Sequence, residues 1–126
     1  NKLPSIIKKK NDIHKLYHSK LDSIKEKLTH IYLDKRTVPV WWFTSFLTKK
    51  KNDLKSYLLK NNIQTREFFR PLNLQKCYGK YKTDGNFNVS QNVYDQGISL
   101  PSSFNLSTEQ QDYIINIILE YYDRSS

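Results

Sequence analysis

Between Asn62 and Tyr78 the chain gathers Arg66, Glu67, Phe68, Phe69, Arg70, Asn73, Gln75 and Tyr78 around Pro71. Arginine offers a planar fork of donors to a carboxylate or phosphate. Aromatic rings offer flat apolar faces to a sugar or a base. Asn and Tyr exchange hydrogen bonds without changing charge near neutral pH. Pro71 has no backbone N–H and pushes Arg70 toward extended geometry, so a strand entering this stretch must leave its sheet here. Side chains on such an exit are placed to meet a ligand or a partner. The competing reading is a wet loop pinned by two buried phenylalanines.

Other reactive groups are scattered. His14 and His18 stand four apart on a helical stretch, a spacing that can hold a metal ion. No H-E-x-x-H glutamate accompanies them and no third ligand is evident, so two solvated histidines are expected and no metal. Cys77 is the single cysteine, which excludes an internal disulfide and a Cys-based zinc cluster and fits a reducing compartment. The three glycines are widely separated, which argues against a glycine-rich phosphate cradle.

With 126 residues the chain can bury a core of its own. No apolar run approaches the ~20 residues of a membrane span, and residues 1–10 lack the apolar stretch of a signal peptide. The formal charge is +9, and it is uneven: residues 1–60 hold 15 Lys/Arg against 5 Asp/Glu, residues 61–126 hold 6 against 7. A basic half raises the question of nucleic acid. The excess is nearly all lysine, however, with only four arginines and no alanine. That usage fits an AT-rich coding sequence, whereas base-reading sites favour arginine. Nucleic-acid binding is the disfavoured reading. The chain has no Met and starts inside a helical pattern, so a fragment of a longer polypeptide is expected.

Apolar residues Leu3, Ile6, Ile7, Ile13, Tyr17 and Leu21 predict an amphipathic helix over 3–21, fraying before Thr29. Residues 37–48 are dense in β-branched and aromatic types and predict a strand, with Pro39 at its edge. Trp41 and Trp42 would then face opposite sides, one toward the core and the other toward a ligand or partner. A helix follows over 49–61, then a strand from Ile63, together suggesting a β-α-β unit. Residues 79–96 read as loop with a short helix near Val89–Tyr94, and Gly97–Ser102 as a third short strand or an extended segment ending at Pro101. Ser107 and Gln110 have capping-box spacing before a last helix carrying Ile114, Ile117, Ile118 and Tyr121. The fold class is α+β, a small antiparallel or mixed sheet packed by helices.

Four of these stretches match one family. Ile63-Gln-Thr-Arg-Glu-Phe-Phe-Arg-Pro-Leu-Asn-Leu-Gln resembles the GI-x-TR-x-FF-x-PLH segment of the DegT–DnrJ–StrS sugar-nucleotide aminotransferases. Gly97-Ile-Ser-Leu-Pro-Ser resembles their G-x-x-LPS segment, and Leu106-Ser-Thr-Glu-Gln-Gln-Asp-Tyr-Ile their closing LTE helix. Lys2 to Tyr17 is similar to the long helix that carries their chain from large to small domain. The four occur in order across most of residues 1–123.

The resemblance implies a fold-type-I enzyme dependent on pyridoxal 5'-phosphate. Such enzymes move an amino group, usually from glutamate, onto a keto sugar carried on a nucleoside diphosphate. They work in the cytoplasm as homodimers and feed the synthesis of surface polysaccharide, lipopolysaccharide or glycosylated antibiotics. It further implies that residues 1–28 are a connecting helix from a large domain outside this sequence, and 29–126 the C-terminal small domain. The family's Schiff-base lysine lies in an S-x-x-K context followed by GEGG, and that combination does not occur here. No catalytic residue is therefore expected in this chain, which alone should be inactive. Substrate contacts are expected from Arg66, Phe69, Asn73, Tyr78 and Trp42. Asn73 stands where the family pattern has the histidine of PLH, and it cannot carry a proton near neutral pH. The alternative is a non-catalytic binding module of the same fold. With no large domain over the apolar face of residues 3–21, the isolated chain should associate.

Overall fold

A computed structural model describes residues 2–79 and 85–124. Four helices and four short strands follow one another: α1 (Leu3–Lys20), β1 (Thr29–His30), β2 (Thr44–Leu47), α2 (Lys51–Lys60), β3 (Arg66–Glu67), α3 (Asn88–Gln96), β4 (Gly97–Leu100) and α4 (Thr108–Arg124). Single 3₁₀ turns sit at Asp22–Ile24, Leu72–Leu74 and Lys76–Tyr78. The sheet order is β1-β2-β4-β3 with every neighbouring pair antiparallel. The expected α+β class holds.

Alternation along β2 and β4 decides which side becomes core. Phe46, Ile98 and Leu100 are buried with Ile13 and Tyr17 of α1, Leu54 and Leu58 of α2, and Ile114, Ile115 and Ile118 of α4. Several polar groups drawn into this layer find partners there. Tyr17 Oη donates to the carbonyl of Pro101 at 2.9 Å, and Gln111 Nε2 to that of Ile13 at 2.7 Å. Thr48 and Tyr122 pair their hydroxyls at 2.8 Å. Burial pushes the Tyr122 and Tyr17 phenols up. The capping box forms as expected: Ser107 N donates to Gln110 Oε1 at 3.0 Å and Gln110 N to Ser107 Oγ at 3.2 Å. Asn62, at the expected stop of α2, takes a positive φ of 61°, a conformation Asn tolerates.

Four expectations are corrected. The strand over 37–48 shrinks to Thr44–Leu47. Pro39 gives no ladder donor, Thr37 N closes a turn on the carbonyl of Asp34, and Trp42 N folds back to that of Val40. Val38 and Val40 are left 94% and 87% exposed. Ile63 enters the core instead of starting a strand, which forms only at Arg66–Glu67. The β-α-β unit is split, because β4 lies between β2 and β3. His14 and His18 are not solvated: His14 is buried and His18 half-buried. The loop expected over 79–96 lies partly outside the described residues, at 80–84; beyond them its helix forms as α3. Leu3, Ile6 and Ile7 stay exposed on the first turns of α1.

Candidate functional site

The sheet face opposite the core carries an open trough of about 580 Å³. Its floor is a cross-strand pair: Ser45 of β2 lies opposite Ser99 of β4, with hydroxyls 2.8 Å apart. One wall is Trp42 and Phe43, whose rings stack at 4.8 Å just before β2. The other is Arg66 and Glu67 of β3 with Phe68 and Phe69 beyond it. Phe68 lies across Gly97, where a Cβ would come within 2.5 Å of its ring. Glycine is what permits that approach.

The charged groups differ in how they are held. Lys55 Nζ donates to the Glu67 carboxylate, and this bond, with the lysine's charge, holds the carboxyl below its usual range. Arg66 makes no ion pair among the described residues; its guanidinium lies 5.8 Å from the centre of the Phe43 ring. An unpaired guanidinium between aromatic walls, above two hydroxyls, suits an anionic ligand with a flat or apolar part. Beyond Arg66 the trough continues into a more polar cleft of about 600 Å³ reaching Lys10, Gln64 and Ser103. Lys10 Nζ donates to the carbonyls of Trp42, at 2.9 Å, and Ser102, tying α1 to both sides of the site. Burial lowers its pKa.

The structure thus brings together three of the five expected substrate residues, Trp42, Arg66 and Phe69, the last 86% exposed. The loop pinned by two buried phenylalanines is not what forms, since only Phe68 is half-covered. Asn73 and Tyr78 do not line the trough; they sit exposed on the two 3₁₀ turns that follow it. Sequence reasoning missed Phe43, Ser45 and Ser99. Their only local signal is a serine alternating with apolar neighbours in each strand. Among the described residues no group of three His, Cys, Asp or Glu side chains is arranged to hold a metal ion, and no helix is long and apolar enough to cross a membrane.

This arrangement is the α+β fold of part of a sugar aminotransferase. It matches a DegT DnrJ EryC1 StrS aminotransferase from Brucella abortus with a TM-score of 0.79 and 26% identity, over 91% of this chain and 31% of that one. The model of the DegT/DnrJ/EryC1/StrS aminotransferase family matches residues 1–119, and the chain belongs to that family. It is 29% identical over 121 residues to a GDP-perosamine synthase of Escherichia coli O157:H7, covering 92% of this chain and 31% of the relative. It is 28% identical over 127 residues to a GDP-perosamine synthase of Vibrio cholerae, covering 97% and 34%. The chain spans about a third of the length of these relatives.

Pyridoxal phosphate is the cofactor such a family implies, and the described residues do not make its site. Among the described residues no lysine lines the trough, and its carboxylate is already held by Lys55. Lys10 is directed at two carbonyls, and buried Lys51 donates to the carbonyl of Tyr94 at 2.8 Å, 4.8 Å from that residue's ring.

Proposed function

We propose that this chain is the C-terminal small domain of a pyridoxal-phosphate-dependent transaminase that aminates a keto sugar on a nucleoside diphosphate. Residues 1–28 connect it to the large domain and 29–126 form the small one. The observation that carries the reading is Arg66, unpaired on an aromatic trough with a hydroxyl floor. Arg66 meets the charged part of the nucleotide sugar. Phe69 and Trp42 cover its sugar or base. Asn73 and Tyr78 add hydrogen bonds from the turns beyond the trough. A GDP-linked sugar is the first candidate, from the names of the two relatives.

The Schiff-base lysine and the cofactor belong to the part of the relatives that this chain does not span. The chain alone excludes water from one side of the substrate and orients it, and it moves no proton. The complete enzyme works as a cytoplasmic homodimer, with glutamate as amino donor, supplying precursors of cell-surface polysaccharide or lipopolysaccharide.

The test is the coding sequence directly upstream of Asn1. An in-frame segment with a lysine in an S-x-x-K context followed by GEGG is expected. A stop codon or an unrelated sequence there would overturn the enzymatic reading and leave a binding module of the same fold.

A further inference from the structure

Three buried imidazole nitrogens, Nδ1 of His14 and Nε2 of His18 and His30, have no hydrogen-bond partner among the described residues. Their rings form one column. His14 lies nearly flat on Trp41, with centroids 3.3 Å apart and planes at 13°. His18 follows at 3.9 Å from His14, and His30 at 4.0 Å from His18. Phe46 closes the side, 5.1 Å from His18 and 5.4 Å from His30. A column with His18 in the middle does not converge on one point, in keeping with the absence of a three-ligand metal cluster among the described residues.

Each element packed here contributes its own groups. From α1 come His14 and His18, from β1 His30, from the segment before β2 Trp41, and from β2 Phe46. Neither Trp41 nor Phe46 titrates. The charges acting on His14 and His18 are those of neighbouring imidazoles, with no carboxylate among them. Lys10, one turn before His14, directs its ammonium at the carbonyls of Trp42 and Ser102.

We propose that this column is an acid-released latch: neutral, it fastens α1 to the sheet edge and to Trp41; protonated, it opens and frees the rim of the trough at Trp42. Whichever nitrogen carries the hydrogen in the neutral ring, a second proton leaves an N–H on the buried, unpartnered nitrogen. It also places a charge about 4 Å from the next imidazole. Burial first, and neighbouring imidazoles second, pull His14 and His18 down to about 4. Because these pKa values are depressed, the latch is intact above the ordinary histidine value near ~6.5 and is lost as pH falls from there to about 4. The adjacent Trp42 backbone is the link to the trough.

The experiment is a titration of this chain from pH 7.5 to 4, following imidazole proton resonances, tryptophan emission and the urea midpoint. His14 and His18 are expected to stay neutral well below pH 6.5, and emission and midpoint to change together in that window. Each imidazole held neutral should weaken the folding equilibrium by up to about tenfold per pH unit. His18→Gln removes the central charge and should flatten that dependence, separating it from carboxylate titration. If His18→Gln fails to fold at pH 7.5, His30→Gln serves, and is expected to raise the midpoint of His18. His14 and His18 titrating near pH 6.5 with unchanged emission would overturn the latch. So would a wild-type urea dependence identical to that of the variant.

Discussion

The two faces of the sheet are made by alternate residues of the same strands, and they have opposite fates. On one face Phe46, Ile98 and Leu100 are sealed by α1, α2 and α4. On the other, one residue away along the chain, Ser45 and Ser99 pair their hydroxyls on the floor of an open trough. The closed face pairs polar groups internally, such as Gln111 with the Ile13 carbonyl, and leaves three imidazole nitrogens unpartnered beside Phe46. The open face leaves a guanidinium unpaired and Trp42 65% exposed. Stability should therefore reside in one face and recognition in the other, and substitutions can ask whether that division is real.

The largest effect is expected from the closed face. Phe46 is fully buried where α1, β1 and β2 meet. Phe46→Ala removes the ring and leaves a cavity, at a cost of about 3–5 kcal/mol. Urea unfolding of the chain measures it. A loss below about 1 kcal/mol would mean that the helical layer does not depend on this strand.

Gly97 tests the seam between the faces. It begins β4, one of the two inner strands, and Phe68 of the trough wall fills the space a Cβ would take. Gly97→Ala drives a Cβ to 2.5 Å from the near end of that ring, which cannot swing aside cheaply. Overpacking of this kind costs about 1–3 kcal/mol. The sharper readout is Phe68 itself: its ring resonances should shift while those of Phe46 do not. Equal shifts on both would show that the faces are mechanically one unit.

The same division explains what the sequence disclosed. The capping box at Ser107, the stop at Asn62 and the amphipathic stripe of α1 are local, and they appear where spacing placed them. The family segments were legible for the same reason: each is a short run. Pairings across the chain were not. Ser45 and Ser99 are separated by 54 positions, and nothing near either serine announces the other. Trp41 and His14 meet only because residues 31–43 fold back over α1, so in an i, i+4 histidine pair that reads as solvated His14 becomes buried and His18 half-buried. The dense aliphatic and aromatic run of 37–43 looked like a strand because composition does not show Pro39's missing donor or the Val40–Trp42 turn. Asn73 and Tyr78 were grouped with Arg66 by proximity in sequence, but the chain turns at Pro71 and carries them past the trough.

Arg66 should give the smallest effect on stability and the clearest one on recognition. It is exposed, it has no ion pair among the described residues, and its one aromatic contact is with Phe43 at 5.8 Å. Losing an exposed cation–π contact costs at most about 1 kcal/mol. Arg66→Gln should therefore leave the urea midpoint nearly unchanged. If the trough receives the anionic part of a nucleotide sugar, the same change removes a charge-assisted hydrogen bond worth about 1.5–3 kcal/mol, or roughly tenfold to more than a hundredfold in affinity. GDP binding, followed by resonance shifts at Ser45 and Ser99, is the measurement. Arg66→Lys keeps the charge but not the planar fork, so it should recover only part of the loss. Two results would count against the division. One is a destabilisation as large as that of Gly97→Ala, which would make Arg66 a structural residue. The other is unaltered GDP binding, which would leave the open face without its principal anion contact and move recognition elsewhere on the chain.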